Sequence, residues 1–312
     1  MRVLTWHVHG SYLHYLSHAP HEFFVPVKEG RPPRYSGLPR GGFPWRPNLQ
    51  EIPAEAVSDE RFDLVLFQHR DNWNVDQFEL LSHAQRHGPR IYLEHDPPRE
   101  SPFEESHPVD DPGVLVVHVT PFNEVMYDNR APTRVIEHGV VVPDGVRWTG
   151  ELDCGIVVVN NIAKRGRRLG VDIVGRVKEA GVPLDLVGMD AEAAGGLGEV
   201  QPDELAAFQT RYRFFFNPIR WTSLGLAVCE AMMIGMPMVV LATGEHAVAV
   251  QNGVSGIVDT SVDRLIDGMN ALLADRGEAE RLGRGARERA LERYGIERFA
   301  QDWDEVIRDV SG

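Results

Sequence analysis

Cysteine is nearly absent: Cys154 and Cys229 are the only two in 312 residues. Two thiols are too few for a disulfide framework or a thiolate zinc site, so both are expected as small buried side chains in a reducing compartment. Long apolar runs are also missing, and nothing approaches the roughly 18 residues that a membrane-spanning helix needs. Positive charge is in deficit, with a formal net charge of −14. A general nucleic-acid binder needs a broad basic surface, which this balance excludes. The N-terminus passes from Met1-Arg2 into Val3-Leu4-Thr5-Trp6 and a histidine-rich turn. That pattern has no apolar core followed by a small-residue cleavage site, so a cytoplasmic protein is expected. Peripheral membrane contact stays open.

What is present alternates. Short apolar runs at Val3 to His7, Phe23 to Val27, Phe62 to Phe67, Arg90 to Glu94, Val114 to Thr120 and Arg134 to Ile136 are separated by helical patterns. A second series runs Gly155 to Asn160, Pro183 to Val187, Tyr212 to Phe216, Met238 to Leu241 and Gly256 to Val258. Strands alternating with helices predict mostly parallel sheets, and the length suits two α/β domains of roughly 150 residues each. The Pro- and Gly-bearing stretch Val142 to Gly150 predicts the linker. Residues 1–148 and 149–293 are therefore expected as domains, with 294–312 as a terminal helical segment set off by Tyr294-Gly295. Residues 28–48, rich in proline, glycine and arginine, predict a long loop, either functional or a mobile surface excursion.

The segment from Phe214 to Val240 reads as buried strand, loop, helix, tight turn and buried strand. Its helix, expected from about Ser223 to Ile234, is apolar nearly all round except for Glu230. A lone buried carboxylate is costly. Glu230 must find either a structural partner or ligand hydroxyls in an open site. The loop before it brings Ser223, Leu224 and Gly225 to a helix N-terminus beyond a strand end, a geometry that favours phosphate, although Ser and Gly are common at helix starts of every kind. In Asn160 to Arg168, Lys164, Arg165, Arg167 and Arg168 crowd four basic residues into five positions. In so acidic a chain this suits an anion site, with a solvated helix start as the alternative.

Pro218-Ile-Arg-Trp-Thr-Ser-Leu-Gly-Leu226, Glu230-Ala-Met-Met, Gly235-Met-Pro-Met-Val-Val240 and Asn252-Gly-Val-Ser-Gly256 together resemble the donor domain of the retaining nucleotide-sugar glycosyltransferases of family 4. Val135-Ile-Glu-His-Gly139 and the Tyr294-Gly295 break extend the resemblance less sharply. It implies the GT-B architecture: two Rossmann-like domains facing a central cleft, with the C-terminal helix crossing back to the N-terminal, acceptor-side domain. Glu230 falls where the family binds the donor ribose, and Thr222 where the family has another Glu. The resemblance also implies that Lys164, Arg165 and Arg168 neutralise the diphosphate. Thr222, Ser223, Leu224, Gly225, Leu226, Gly188 and Asn217 are assigned to the donor side. His95, closing the strand Arg90 to Glu94 ahead of Asp96, matches the family's catalytic-cleft histidine. Gly10, Ser11, His69, Arg70 and Asp96 are assigned to the acceptor side, all at strand ends where open α/β sheets bind ligands. With 13 histidines in the chain, any single one reads more readily as structural than as catalytic.

The expected function is a hexosyltransferase-type transfer from a UDP- or GDP-linked sugar to an acceptor hydroxyl, with retention and without metal or cofactor. The acceptor, whether glycan, lipid or small molecule, is left open. The alternative is a non-catalytic nucleotide-sugar or glycan binding protein of the same fold.

Overall fold

A computed structural model describes residues 1–39 and 41–312 and divides them into two compact units. The first comprises Met1–Gly139 with Ile296–Gly312, the second Val140–Gly295. The division falls at 139/140, not at the predicted 148/149. The reason lies in the hydrogen bonds of the connecting segment. The Val140 amide donates to the Tyr294 carbonyl at 2.9 Å, the Trp148 amide to Ile234 at 3.2 Å, and the Trp148 indole to the Tyr212 carbonyl at 2.8 Å. The expected linker is thus laced onto the second unit.

The first unit holds seven parallel strands: β1 (Arg2–Thr5), β2 (Glu22–Val27), β3 (Leu49–Pro53), β4 (Leu64–Phe67), β5 (Arg90–Glu94), β6 (Leu115–His118) and β7 (Thr133–Val135), in the order β3-β2-β1-β4-β5-β6-β7. Chain order reverses between β1 and β4. Such a reversal opens a crevice beyond the strand C-termini, where doubly wound sheets take their ligands. All four residues of β4 are buried, as a central parallel strand covered on both faces requires. β3 was not expected, because Leu49-Gln-Glu-Ile-Pro53 has no apolar run. It is an edge strand, the position that tolerates Pro53. Residues 28–48 form no strand or helix among the described residues, and Arg40 lies outside them.

The helix Ile296–Ser311 buries Phe299, Trp303, Val306 and Ile307 completely within the first unit. Its Trp303 indole donates to the Tyr12 hydroxyl at 3.2 Å, and Arg298 donates to the Glu137 and His138 carbonyls at 2.9 and 2.6 Å. A Cβ at Gly139 would sit 2.2 Å from that of Phe299, so only glycine admits this packing.

The second unit has five parallel strands: β8 (Leu152–Val158), β9 (Leu184–Val187), β10 (Tyr212–Asn217), β11 (Met238–Leu241) and β12 (Gly256–Asp259), in the order β12-β11-β10-β8-β9. Every residue of β10 is buried. The reversal lies between β8 and β10. The loop after β8 carries the basic cluster and the loop after β10 leads to Glu230, so the topology brings both to one edge of the sheet.

Candidate active site

The helix carrying Glu230 runs from Leu226 to Ile234 and not from Ser223. Ser223 and Leu224 are 7% and 2% exposed, so these side chains face the interior and the chain reaches the helix only at Gly225. Gly225 is the N-cap, in extended backbone, and no side chain caps the helix. The first-turn donors are thus the amides of Leu226 and Ala227, where helix dipoles place roughly half a positive charge. A Cβ added to Gly225 would meet nothing within 4 Å. The approach to this helix start is open.

Six of the nine helix residues are buried, and the remaining three are Leu226, Ala227 and Glu230. Positions separated by three and four residues share a helix face. The partly open face therefore carries the free N-terminal amides at one end and the carboxylate about 6 Å further along the axis, at 1.5 Å per residue. Glu230 is half-buried and not sealed in the core.

The loop after β8 is fixed by Asn160 and Asn161. Asn160 Oδ1 accepts from the Met189 amide at 2.9 Å, and the Asn161 amide donates to the Met189 carbonyl at 2.7 Å. Gly188 closes β9 with φ +138°, and a Cβ there would lie 2.5 Å from the Val159 carbonyl oxygen, so it acts as a close-packing glycine between β8 and β9. The four basic residues divide. Arg167 pairs with Asp172 at 2.7 Å, and Arg220 pairs with the same carboxylate through two bonds of 2.7 and 2.8 Å. Hydrogen bonds from Arg220 above all hold the Asp172 carboxyl below its usual range. Arg168 clasps the two loops: its Nε donates to the Trp221 carbonyl at 3.1 Å, and its own carbonyl accepts from Arg220 and Trp221. Lys164 and Arg165 are exposed, and Lys164 makes no ion pair among the described residues.

Asn217, assigned to the donor side, is buried at the end of β10 and bonded within the protein. It is 4% exposed, and its Oδ1 accepts from the Ile219 amide at 3.0 Å. That fixes the amide orientation, so Nδ2 donates to His246 Nε2 at 3.1 Å, and His246 Nδ1 donates to the Thr243 carbonyl at 3.2 Å. Both ring nitrogens are thereby committed to the neutral imidazole. Burial pushes His246 down to about 4. Its folded pKa lies below the ordinary 6.5, so its contribution to stability is full above pH 6.5 and is lost as pH falls towards 4. At 1.36 kcal/mol per pH unit this reaches about 3 kcal/mol. Thermal melts of wild type and His246→Gln between pH 7 and 4 check the point. The wild-type Tm should fall more steeply by one proton's worth, and parallel curves would remove His246 from the account. Thr222 is half-buried in the same loop.

In the first unit, His95 follows β5 and is half-buried. Its Nε2 lies 3.1 Å from Gln68 Oε1, and its ring meets those of His9 and Tyr12 edge-on at 4.5 and 4.8 Å. His69 Nδ1 accepts from the Asp71 amide at 3.1 Å. Arg70 pairs with Glu105, and Asp96 with Arg99, so both serve to anchor the loop after β5. Glu105 also accepts the amides of Arg99 and Glu100 at 2.9 and 3.0 Å. Gly10 and Ser11 start the helix Gly10–Leu16, and a Cβ at Gly10 would meet the Phe43 ring at 2.6 Å, which brings the 28–48 loop against the end of β1. His7 and Gln68 were not anticipated, and Phe43 and Trp45 only as part of the 28–48 loop. Only the fold brings them beside the assigned residues.

Residues 194–289 match the family described as Glycosyl transferases group 1. No curated protein matches the chain in sequence. Among solved structures, the sucrose-phosphate synthase of Thermosynechococcus elongatus superposes with a TM-score of 0.73 at 14% identity, covering 99% of both chains. HepE of Anabaena in complex with UDP-glucose gives 0.67 at 14% identity, covering 99% of this chain and 100% of that one. TarM of S. aureus gives 0.59 at 13% identity over 78% of this chain and 55% of its own. Identities this low speak to architecture, and the architecture is that of the GT-B glycosyltransferases. The chain has the GT-B glycosyltransferase fold, and its second unit carries the sequence pattern of the group 1 glycosyl transferases.

Proposed function

We propose that the chain transfers a sugar from a nucleoside-diphosphate sugar to an acceptor hydroxyl, with the donor held on the second unit. The carrying observation is the open face of the helix Leu226–Ile234. It presents two helix-terminal amides and one carboxylate along a line whose spacing suits a diphosphate and its ribose. Glu230 would accept both ribose hydroxyls. The Leu226 and Ala227 amides, with Lys164, Arg165 and Arg168, would meet the charge that builds on the departing diphosphate. Charge stabilisation of that kind is commonly the largest catalytic contribution.

A UDP-linked donor is favoured by the HepE structures, solved with UDP and with UDP-glucose. A hexosyl donor, retention at the anomeric carbon and transfer without metal or cofactor follow from the family 4 resemblance and belong to the same proposal, with Gly10, Ser11, His69 and His95 on the acceptor side. Thr222 in the place of the family's other Glu favours a second reading, a protein that binds nucleotide sugars without turning them over. Incubation with UDP- and GDP-sugars labelled in the sugar separates the two readings. The proposal expects nucleotide release that rises with added acceptor, and binding without any release would establish the second reading.

A further inference from the structure

Gln68 follows β4 and is only 3% exposed. Its Nε2 lies 3.1 Å from the Trp6 carbonyl and 2.8 Å from Thr5 Oγ1. A carbonyl can only accept, so this side of the amide is the NH2. Thr5 gives its own proton to the Leu66 carbonyl at 3.0 Å, which leaves its oxygen able to accept from Gln68. The other end of the amide, Oε1, must then be what faces His95 Nε2 at 3.1 Å. An amide oxygen accepts, so His95 Nε2 carries the hydrogen.

The surroundings oppose a second proton on the ring. Burial acts first, followed by His9, His138, His69 and Arg99, and together they push His95 well below the ordinary histidine value. Tyr12, packed edge-on from the helix Gly10–Leu16, has a hydroxyl that accepts from Trp303 and adds no negative charge. No group of three or more His, Cys, Asp or Glu among the described residues is arranged to hold a metal ion.

We infer that Gln68 is a positioning residue: it fixes His95 as the neutral Nε2–H tautomer, with the lone pair on Nδ1. A ring in that state accepts from a hydroxyl and supplies no positive charge to a phosphate. Contact of His95 with sugar or acceptor hydroxyls is what the family resemblance implies, and the neutral ring leaves the diphosphate to Lys164, Arg165, Arg168 and the helix terminus. The inference rests on the glycosyl-transfer reading for its functional meaning, but its chemistry can be read without turnover.

The test is the imidazole ¹⁵N spectrum of the labelled full chain at pH 7, with His95 assigned by comparison with His95→Gln. The expected pattern is a protonated Nε2 and an unprotonated Nδ1, and either the opposite tautomer or an imidazolium overturns the inference. Gln68→Met keeps the length and removes the acceptor. It should mix the two tautomers and lower kcat about fivefold to tenfold, one hydrogen bond's worth, with little change in the donor KM. A wild-type tautomer pattern in Gln68→Met would also overturn it. Should that variant fail to fold, the wild-type spectrum still decides. Because the spectra need no reaction, their failure is distinguishable from failure of the transfer reading, which the nucleotide-release assay reports.

Discussion

Glu230→Ala should weaken binding of a nucleoside diphosphate about 100-fold or more while leaving the chain folded. The size of the loss follows from chemistry. Two hydrogen bonds from ribose hydroxyls to a carboxylate contribute about 1.5–3 kcal/mol each, and alanine can make neither. Retention of the fold follows from position. Glu230 is half-buried on the open face of its helix, so truncation leaves no core cavity, and alanine is at least as good a helix former as glutamate. Glu230→Gln, which keeps one acceptor and no charge, should fall between the two. Calorimetric titration with UDP and GDP measures all three proteins. Unchanged affinity in Glu230→Ala would detach the carboxylate from the donor altogether.

Gly170→Ala should destabilise the second unit by about 3 kcal/mol. Gly170 precedes the helix Val171–Glu179 at φ +82°, a region in which an L side chain is strained. The added Cβ would also lie 2.2 Å from the Pro218 carbonyl oxygen, a backbone atom that can yield only by moving its loop. For a unit of this size the expected fall in Tm is about 10 °C. The displaced loop runs on to Gly225, so nucleotide affinity should fall with stability. A Tm within two degrees of wild type would show that the β8 and β10 exit loops are not packed as closely as Gly170 and Pro218 indicate.

Much of this site could be read before the fold was known. The central strands were legible because burial on both faces makes them short apolar runs. The helix around Glu230 was legible because a single acid stands out in an apolar stretch. Its start was misplaced by three residues because serine so often caps helices, whereas Ser223 is drawn inward and Gly225 takes the cap. β3 escaped notice because an edge strand can be polar and contain proline.

The side-chain roles that were missed depend on distant partners. Nothing near Asn217 announces His246, and nothing near Arg167 announces that Arg220 converges on the same Asp172. The basic cluster consequently looked uniform, although the fold pairs Arg167 with Asp172 and sets Arg168 on the Trp221 carbonyl. The relay from Leu66 through Thr5 and Gln68 to His95 joins residues at the ends of three strands, and only the register of β1, β4 and β5 brings them together.

Amide hydrogen exchange with and without saturating UDP or GDP tests the central claim most directly, because it locates a nucleotide without requiring turnover. Bound nucleotide should slow exchange in two segments of the second unit, residues 160–168 and 223–230. Protection confined to Met1–Gly139, or no protection in either segment with both nucleotides, would contradict it.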